Sequence, residues 1–344
     1  MDKKRILKVF VTAAVVLAVM FAGVLLAVLM SSPGRDHKMH TNRPARVETT
    51  ELTQSTESAT EPSSEPATEP VTEPSTEPPA EPSTEPPTTG PTFYPSNGDE
   101  LIGKLYTRDQ LAAINGTRKT YGTGTITDGI RPSVAIKNEK TYGQLYDAHF
   151  IGPDQETIYF TFAHGYEQDN LTGIVLDTLK EKNIKGIFFI NKGYARFAPD
   201  MVWRMINEGH IVANHATNHP DMGTLSVDEM VTEIMTMHNY MVEHFGYEMQ
   251  YFRPPSGYYS ERLLAVAQSL GYTTVQWSYT YRDWDRSAPP DYHKFRDSIV
   301  ESAHNGAIYY FHTVTPGGVS AICDSIDALR EKGYAFVPLT SNTE

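Results

Sequence analysis

The chain has 344 residues, a formal charge of −13 and one cysteine, Cys323. A lone cysteine excludes an internal disulfide, and the acidic balance argues against a nucleic-acid partner. Length alone allows two domains, but composition removes much of the N-terminal third from any core.

Residues 1–8 form a basic tail with Lys3, Lys4, Arg5 and Lys8, and residues 9–30 read "VFVTAAVVLAVMFAGVLLAVLM". At about 1.5 Å per helical residue that run spans a hydrocarbon core of roughly 30 Å. A cleavable secretory signal starts in the same way. Its apolar region is usually only about 7 to 15 residues, closing on an A-x-A-like site that "VLMSSPG" lacks. The expectation is an uncleaved single-pass anchor in the cell membrane, with the N-terminus cytoplasmic and everything after residue 30 extracellular.

Residues 31–103 follow as a Thr/Glu/Pro-rich stalk. Between Val47 and Gly103 there is no Lys or Arg, and the middle reads "TEPSSEPATEPVTEPSTEPPAEPSTEPP". Proline every few residues forbids helix and ladder, and the regular glutamates repel one another. A disordered, extended linker is expected.

Residues 104–153 are weakly patterned and read as an extension of turns and short extended pieces that packs on the domain at 154–344. From Thr157 an alternation begins. Strands are expected at "TIYFTF", "GIFFI", "HIVAN", "MQYFR", "TTVQWS", "AIYYF" and "YAFVP". Helices are expected between them at Leu171–Lys182, Met201–Glu208 with Asp200 as cap, Val227–Phe245, Ser260–Leu270, His293–Ser302 and Val319–Glu331. Such an order predicts an α/β fold, a deformed parallel β/α barrel of seven or eight strands, with an open doubly wound sheet as the alternative. No G-x-G-x-x-G or Walker pattern supports a nucleotide.

In a β/α barrel the working residues sit just past the strands. His164 follows the first strand, His215 and His219 the third, Arg253 the fourth, Asp283 and Trp284 the fifth, and His312 the sixth. Each has an ordinary reading alone: a core histidine, an ion-pair arginine, a capping aspartate. Together on one rim they suit metal-assisted hydrolysis. Neutral imidazoles hold Zn²⁺ and leave a position open for water, and a histidine oriented by a carboxylate can protonate a leaving nitrogen. His312 and Asp283 have the right types for that acid.

In this order, "TIYFTFAHGYE", "GIFFINKGYARFAPDMVWRMINEGHIVANHATNHPDM", "YFRPPSGYYSERLLAVAQSLGY", "WSYTYRDWD", "GAIYYFHTV" and "LREKGYAF" resemble the NodB-homology polysaccharide deacetylases. Within them, the resemblance is nearer to the delta-lactam-biosynthetic, muramic acid de-N-acetylases of the bacterial cell wall. It implies a deformed β/α barrel that removes acetyl groups from N-acetylated amino sugars such as those of peptidoglycan. It also implies one divalent metal, for which three nitrogens favour zinc, with cobalt or nickel possible. Carried over by position, His215 and His219 bind the metal and His164 stands at the third ligand position. Arg253 holds the catalytic base, His312 is the general acid beside Asp283, and Ser256, Trp284 and Tyr166 contact substrate.

The departure lies in the first motif. Members of the family read T-F-D-D-G or T-F-D-N-G-Y-E, and their first aspartate, the general base, is here Ala163. Ala216 and Thr280 depart in smaller ways. A methyl group accepts no proton, and Glu167 is the nearest substitute. The sequence thus predicts an impaired or modified N-deacetylase, or a non-catalytic module of the same fold that binds wall glycan or a partner. A barrel with unrelated chemistry is a third reading.

Overall fold

The structure is a computed structural model that describes residues 98, 101–124, 126 and 129–339. The expected tail, the anchor at 9–30 and most of the stalk lie outside the described residues. Among those residues no helix is long and apolar enough to cross a membrane. The stalk stops short of residue 103: Leu101 and Ile102 already donate backbone hydrogen bonds to the Gly98 carbonyl and pack against the core.

The segment read as turns is more regular than expected. It holds helices Arg108–Ala113 and Ser133–Tyr146 and the short strands β1 (Lys119–Thr120) and β2 (Ala148–His149). Ser133–Tyr146 escapes a pattern search for physical reasons: Pro132 gives its start no side-chain cap, and Gly143 weakens its last turn. Its buried face is Ala135, Tyr142, Gly143 and Tyr146.

The remaining strands are β3 (Thr157–His164), β4 (Ile187–Ile190), β5 (Ile211–Asn214), β6 (Tyr251–Phe252), β7 (Tyr258–Tyr259), β8 (Thr273–Val275), β9 (Tyr279–Thr280), β10 (Ala307–Phe311) and β11 (Ala335–Phe336). β1 and β7 form an antiparallel ribbon. The others make one parallel sheet in the order β2-β8-β6-β5-β4-β3-β10-β9, with β11 beside the start of β3. β2 belongs to this sheet, so the barrel domain begins before the expected boundary at residue 154.

Only Gln276, Trp277 and Ser278 separate β8 from β9. One run of chain therefore bonds near both ends of the sheet path and draws the parallel sheet round into a partial, deformed barrel. The open doubly wound alternative does not describe that return.

Helices Leu171–Glu181, Pro199–Asn207, Val227–Phe245, Glu261–Ser269, Tyr292–Glu301 and Pro316–Glu331 alternate with the strands as predicted. One cap differs: Pro199 opens its helix, so Asp200 lies inside the first turn. A short helix, Lys192–Phe197, was not anticipated; Asn191 caps it by accepting from the Tyr194 N–H. The sheet is buried on both sides, with Phe160, Phe162, Phe188, Phe189 and Phe252 at most 2% exposed. Each such side chain contributes about 1.5–3 kcal/mol by leaving water. That packing fixes where each strand ends, and hence where the polar residues stand.

Candidate active site

β10 ends at Phe311, and its continuation places His312 over Asp283. His312 Nδ1 lies 2.8 Å from Asp283 Oδ1, and the His312 backbone N–H donates to Oδ2 at 2.7 Å. Asp283 is 1% exposed, and both of its oxygens are engaged by one residue. This pairing orients the imidazole and directs its other nitrogen outward. His312 lines a cavity of about 520 Å³ together with His219, Ser256, Trp277, Trp284 and Tyr310. Trp284, half exposed, stands 5.8 Å from the His312 ring and forms part of the rim.

His215 follows β5, with its Nδ1 2.8 Å from the Arg253 carbonyl oxygen. Donation to that oxygen leaves Nε2 with a lone pair, the arrangement of a metal-ligating histidine. Burial holds both His215 and His219 below the usual imidazole range, so both are neutral donors at neutral pH. Their rings lie 4.9 Å apart. Left-handed backbone at Ala216 and His219 bends the loop between them. Glu233 fastens that loop by accepting from the backbone N–H groups of Thr217 and Asn218 at 3.0 and 2.8 Å.

His164 does not join this pair. Its Nε2 meets Thr313 Oγ1 at 2.9 Å, its ring packs beside Phe188 and Tyr194, and its Nδ1 is buried with no partner among the described residues. The pleat explains why. Successive residues of a strand face opposite sides, so His164 shares the side of Phe162, and Ala163 takes the side of its register partner Phe189. Among the described residues no three His, Cys, Asp or Glu side chains are grouped to hold a metal. His215 and His219 fit as two ligands; the expected third nitrogen is turned away.

Arg253 is fully buried just past β6. Its Nε donates to the Val275 carbonyl at 2.9 Å and its Nη2 to the Gln276 carbonyl at 2.8 Å. Its guanidinium lies 4.0 Å from the Phe189 ring centroid and 4.8 Å from that of Tyr310. Nη1 is buried and has no partner among the described residues. Burial lowers the Arg253 pKa to about 9, which still leaves the group charged at neutral pH. Among the described residues no carboxylate pairs with it.

Glu167 does not fill that place. Its Oε2 accepts from the Tyr194 hydroxyl at 2.8 Å and its Oε1 from the Thr172 N–H at 3.3 Å, so it ties down the start of helix Leu171–Glu181. Tyr166 is half exposed and is not among the residues lining the cavity. Ser256 does line it, in left-handed conformation at φ 54°. The following Gly257 is required by contact, because a Cβ there would come within 2.7 Å of the Trp277 ring.

Sequence reasoning missed Tyr121, Gly122, Tyr258, Trp277 and Tyr310 in the cavity wall. Tyr121 arrives through the β1–β7 ribbon and donates its hydroxyl hydrogen to the Trp277 carbonyl at 2.7 Å. Nothing in the local pattern of residues 119–122 signals this. Tyr310 was legible, because alternation along "AIYYF" puts it on the side of His312.

Comparison with known proteins agrees with the geometry. Residues 151–275 match the Polysaccharide deacetylase family. The chain is 36% identical over 208 residues to the peptidoglycan-N-acetylmuramic acid deacetylase PdaA of Bacillus subtilis, covering 60% of this chain and 79% of that protein. It is 31% identical over 204 residues to a peptidoglycan-N-acetylglucosamine deacetylase of Bacillus cereus, covering 58% and 72%. The solved structure of B. subtilis PdaA, described as a family 4 carbohydrate esterase, superposes with a TM-score of 0.61 at 33% identity, covering 64% of this chain and 94% of that one. The partial barrel, the ordered motifs and these relatives together place the chain in the polysaccharide deacetylase family, hydrolases that act on carbon–nitrogen bonds.

Proposed function

We propose that the chain is a cell-wall N-deacetylase of diminished activity, which binds an N-acetylated amino sugar of peptidoglycan and hydrolyses its acetamide slowly. The observation that carries this reading is the oriented His312–Asp283 pair facing a cavity that His219 also lines. His312 donates a proton to the leaving nitrogen, Trp284 covers the acetyl side, and the backbone near Ser256 stabilises the developing oxyanion. Enzymes of this family depend in general on a metal, which when bound activates water and polarises the acyl oxygen. His215 and His219 supply two nitrogens for it, with zinc favoured and cobalt or nickel as alternatives. A third from His164 would need the end of β3 to change its backbone, because the pleat turns that side chain to the other side of the strand.

What lowers the activity is Ala163. A general base is typically worth about 10²- to 10⁴-fold in rate, and neither Ala163 nor the committed Glu167 supplies one. "GYE" after the first motif leans toward a muramic acid substrate. The apolar run 9–30 and the stalk suit a domain held outside the cell membrane and reaching the wall. The test is acetate release from peptidoglycan fragments by the full chain supplied with Zn²⁺ or Co²⁺. Release should exceed that of His215→Ala; equal release by the two would sink the proposal.

A second reading, a non-catalytic glycan-binding module, draws on the separation of His164 from the histidine pair. Under it the full chain binds peptidoglycan fragments yet releases no acetate above the control.

A further inference from the structure

Arg253 retains a hydrogen-bonding capacity that no described residue uses. Its side chain is 0% exposed, two of its nitrogens are spent on carbonyls, and Nη1 is buried without an acceptor. The guanidinium is bracketed by Phe189 and Tyr310. Phe189 is the register partner of Ala163 on β4, and Tyr310 is that of Thr161 on β10. Register partners and alternate residues share a face, so Thr161 and Ala163 lie on the face where Phe189 and Tyr310 meet Arg253. Ala163 is the smallest of them. A buried donor left unpaired is costly, more so when charged, so an acceptor brought from solution is favoured there.

We infer that the inner face beside Ala163 is a binding site for a small monocarboxylate such as formate or acetate, whose oxygen accepts from Arg253 Nη1. Formate has the three heavy atoms by which a carboxylate would extend the Ala163 methyl. Tyr310, which brackets Arg253, also lines the cavity of the candidate site, so a carboxylate would enter from that side; Tyr310 is 8% exposed and Ala163 5%. Arg presents its donors in a planar fork that suits a carboxylate.

Binding stands on this geometry alone; only its consequence for turnover rests on the deacetylase reading. In turnover the bound carboxylate takes one proton from the attacking water, whose oxygen bonds to the acetyl carbon. The carbon–nitrogen bond then breaks with its electron pair on nitrogen, which receives a proton from His312. The carboxylic acid returns its proton through solvent to His312, so the net reaction is water plus acetamide giving acetic acid plus amine, which at neutral pH exchange a proton to acetate and ammonium.

The test titrates sodium formate against the full chain, with sodium chloride at equal ionic strength as reference. The unaltered chain should show a saturable, formate-specific rise in its thermal midpoint, and Ala163→Asp and Ala163→Leu, whose larger side chains would take the place of the bound carboxylate, should not. Acetate release from peptidoglycan fragments should rise about tenfold with the same half-saturating formate concentration. Absence of a formate-specific shift in the unaltered chain overturns the site, as does a shift that persists in either filled variant. Saturable binding without added acetate release upholds the carboxylate site and counts against the deacetylase reading.

Discussion

The two halves of the candidate site have kept different things. On the β10 side, Asp283 is desolvated and gives both oxygens to His312, so that buried charge has its partner. On the β3 side, Ala163 offers no acceptor, Arg253 Nη1 and His164 Nδ1 are buried unpaired, and Glu167 is committed to Tyr194 and Thr172. The barrel nonetheless holds Arg253 in place, because carbonyls of Val275 and Gln276 and the rings of Phe189 and Tyr310 position it. Packing that shapes a site and groups that carry its proton transfers can therefore be lost separately.

The sharpest way to break this contrast is to restore the missing acceptor. Ala163→Asp places a carboxylate toward Arg253 and should raise acetate release from peptidoglycan fragments by about 10²- to 10⁴-fold in the presence of Zn²⁺. If release stays at the unaltered level while the variant folds, the β3 side lacks more than a base, and the turned-away His164 is the next group to examine.

The β10 side should answer in the opposite direction. In the Ala163→Asp background, Asp283→Asn removes the charge that orients His312 and should lower kcat by about 10²-fold with KM little changed. An equal fall in binding of unhydrolysed fragments would mean that Asp283 shapes the cavity rather than the acid.

How much of this was legible follows from the physics of each signal. The strand and helix series from Thr157 onward could be read because strands buried on both faces are continuously apolar and the helices between them are amphipathic. His312 with Asp283, and His215 with His219, could be read because each follows a strand end. His164 was misplaced because here β3 runs regularly to its last residue, and the side chain on its far face meets Thr313, Phe188 and Tyr194, contacts that motif position alone does not supply. Glu167 was misjudged for want of its partners, Tyr194 and Thr172, neither of which a linear reading puts beside it. Helix Ser133–Tyr146 and the wall residue Tyr121 depend on tertiary contacts that leave little local trace.

Acid should reach both halves of the barrel alike. His210, whose Nδ1 accepts from the Gly186 N–H before β4, and His304, whose Nε2 meets Ser278 Oγ beside β9 and β10, are both lowered to about 4 by burial. An exposed histidine in the unfolded chain titrates near 6.5, so below that pH the unfolded state binds protons that the folded state refuses. Stability should hold above about pH 7 and fall from about pH 6.5 toward 4, by about 1–2 kcal/mol per histidine at pH 5. Denaturant midpoints measured across that range check it, and His304→Gln should flatten the slope. A stability independent of pH in this window would contradict the burial argument.

The smallest effect expected is the one that separates Glu167 from catalysis. Glu167→Ala leaves the buried Tyr194 hydroxyl and the Thr172 N–H without their acceptor and should cost about 1–3 kcal/mol in unfolding free energy. Tyr194→Phe should recover part of that loss in the double variant, because the orphaned hydroxyl is then gone. In the Ala163→Asp background the same Glu167→Ala change should leave acetate release within about twofold. The comparison turns on this pair of readings: a stability loss with activity intact keeps Glu167 as an anchor of helix Leu171–Glu181. A tenfold or greater fall in release with little change in stability would instead put a working carboxylate back on the β3 side of the site.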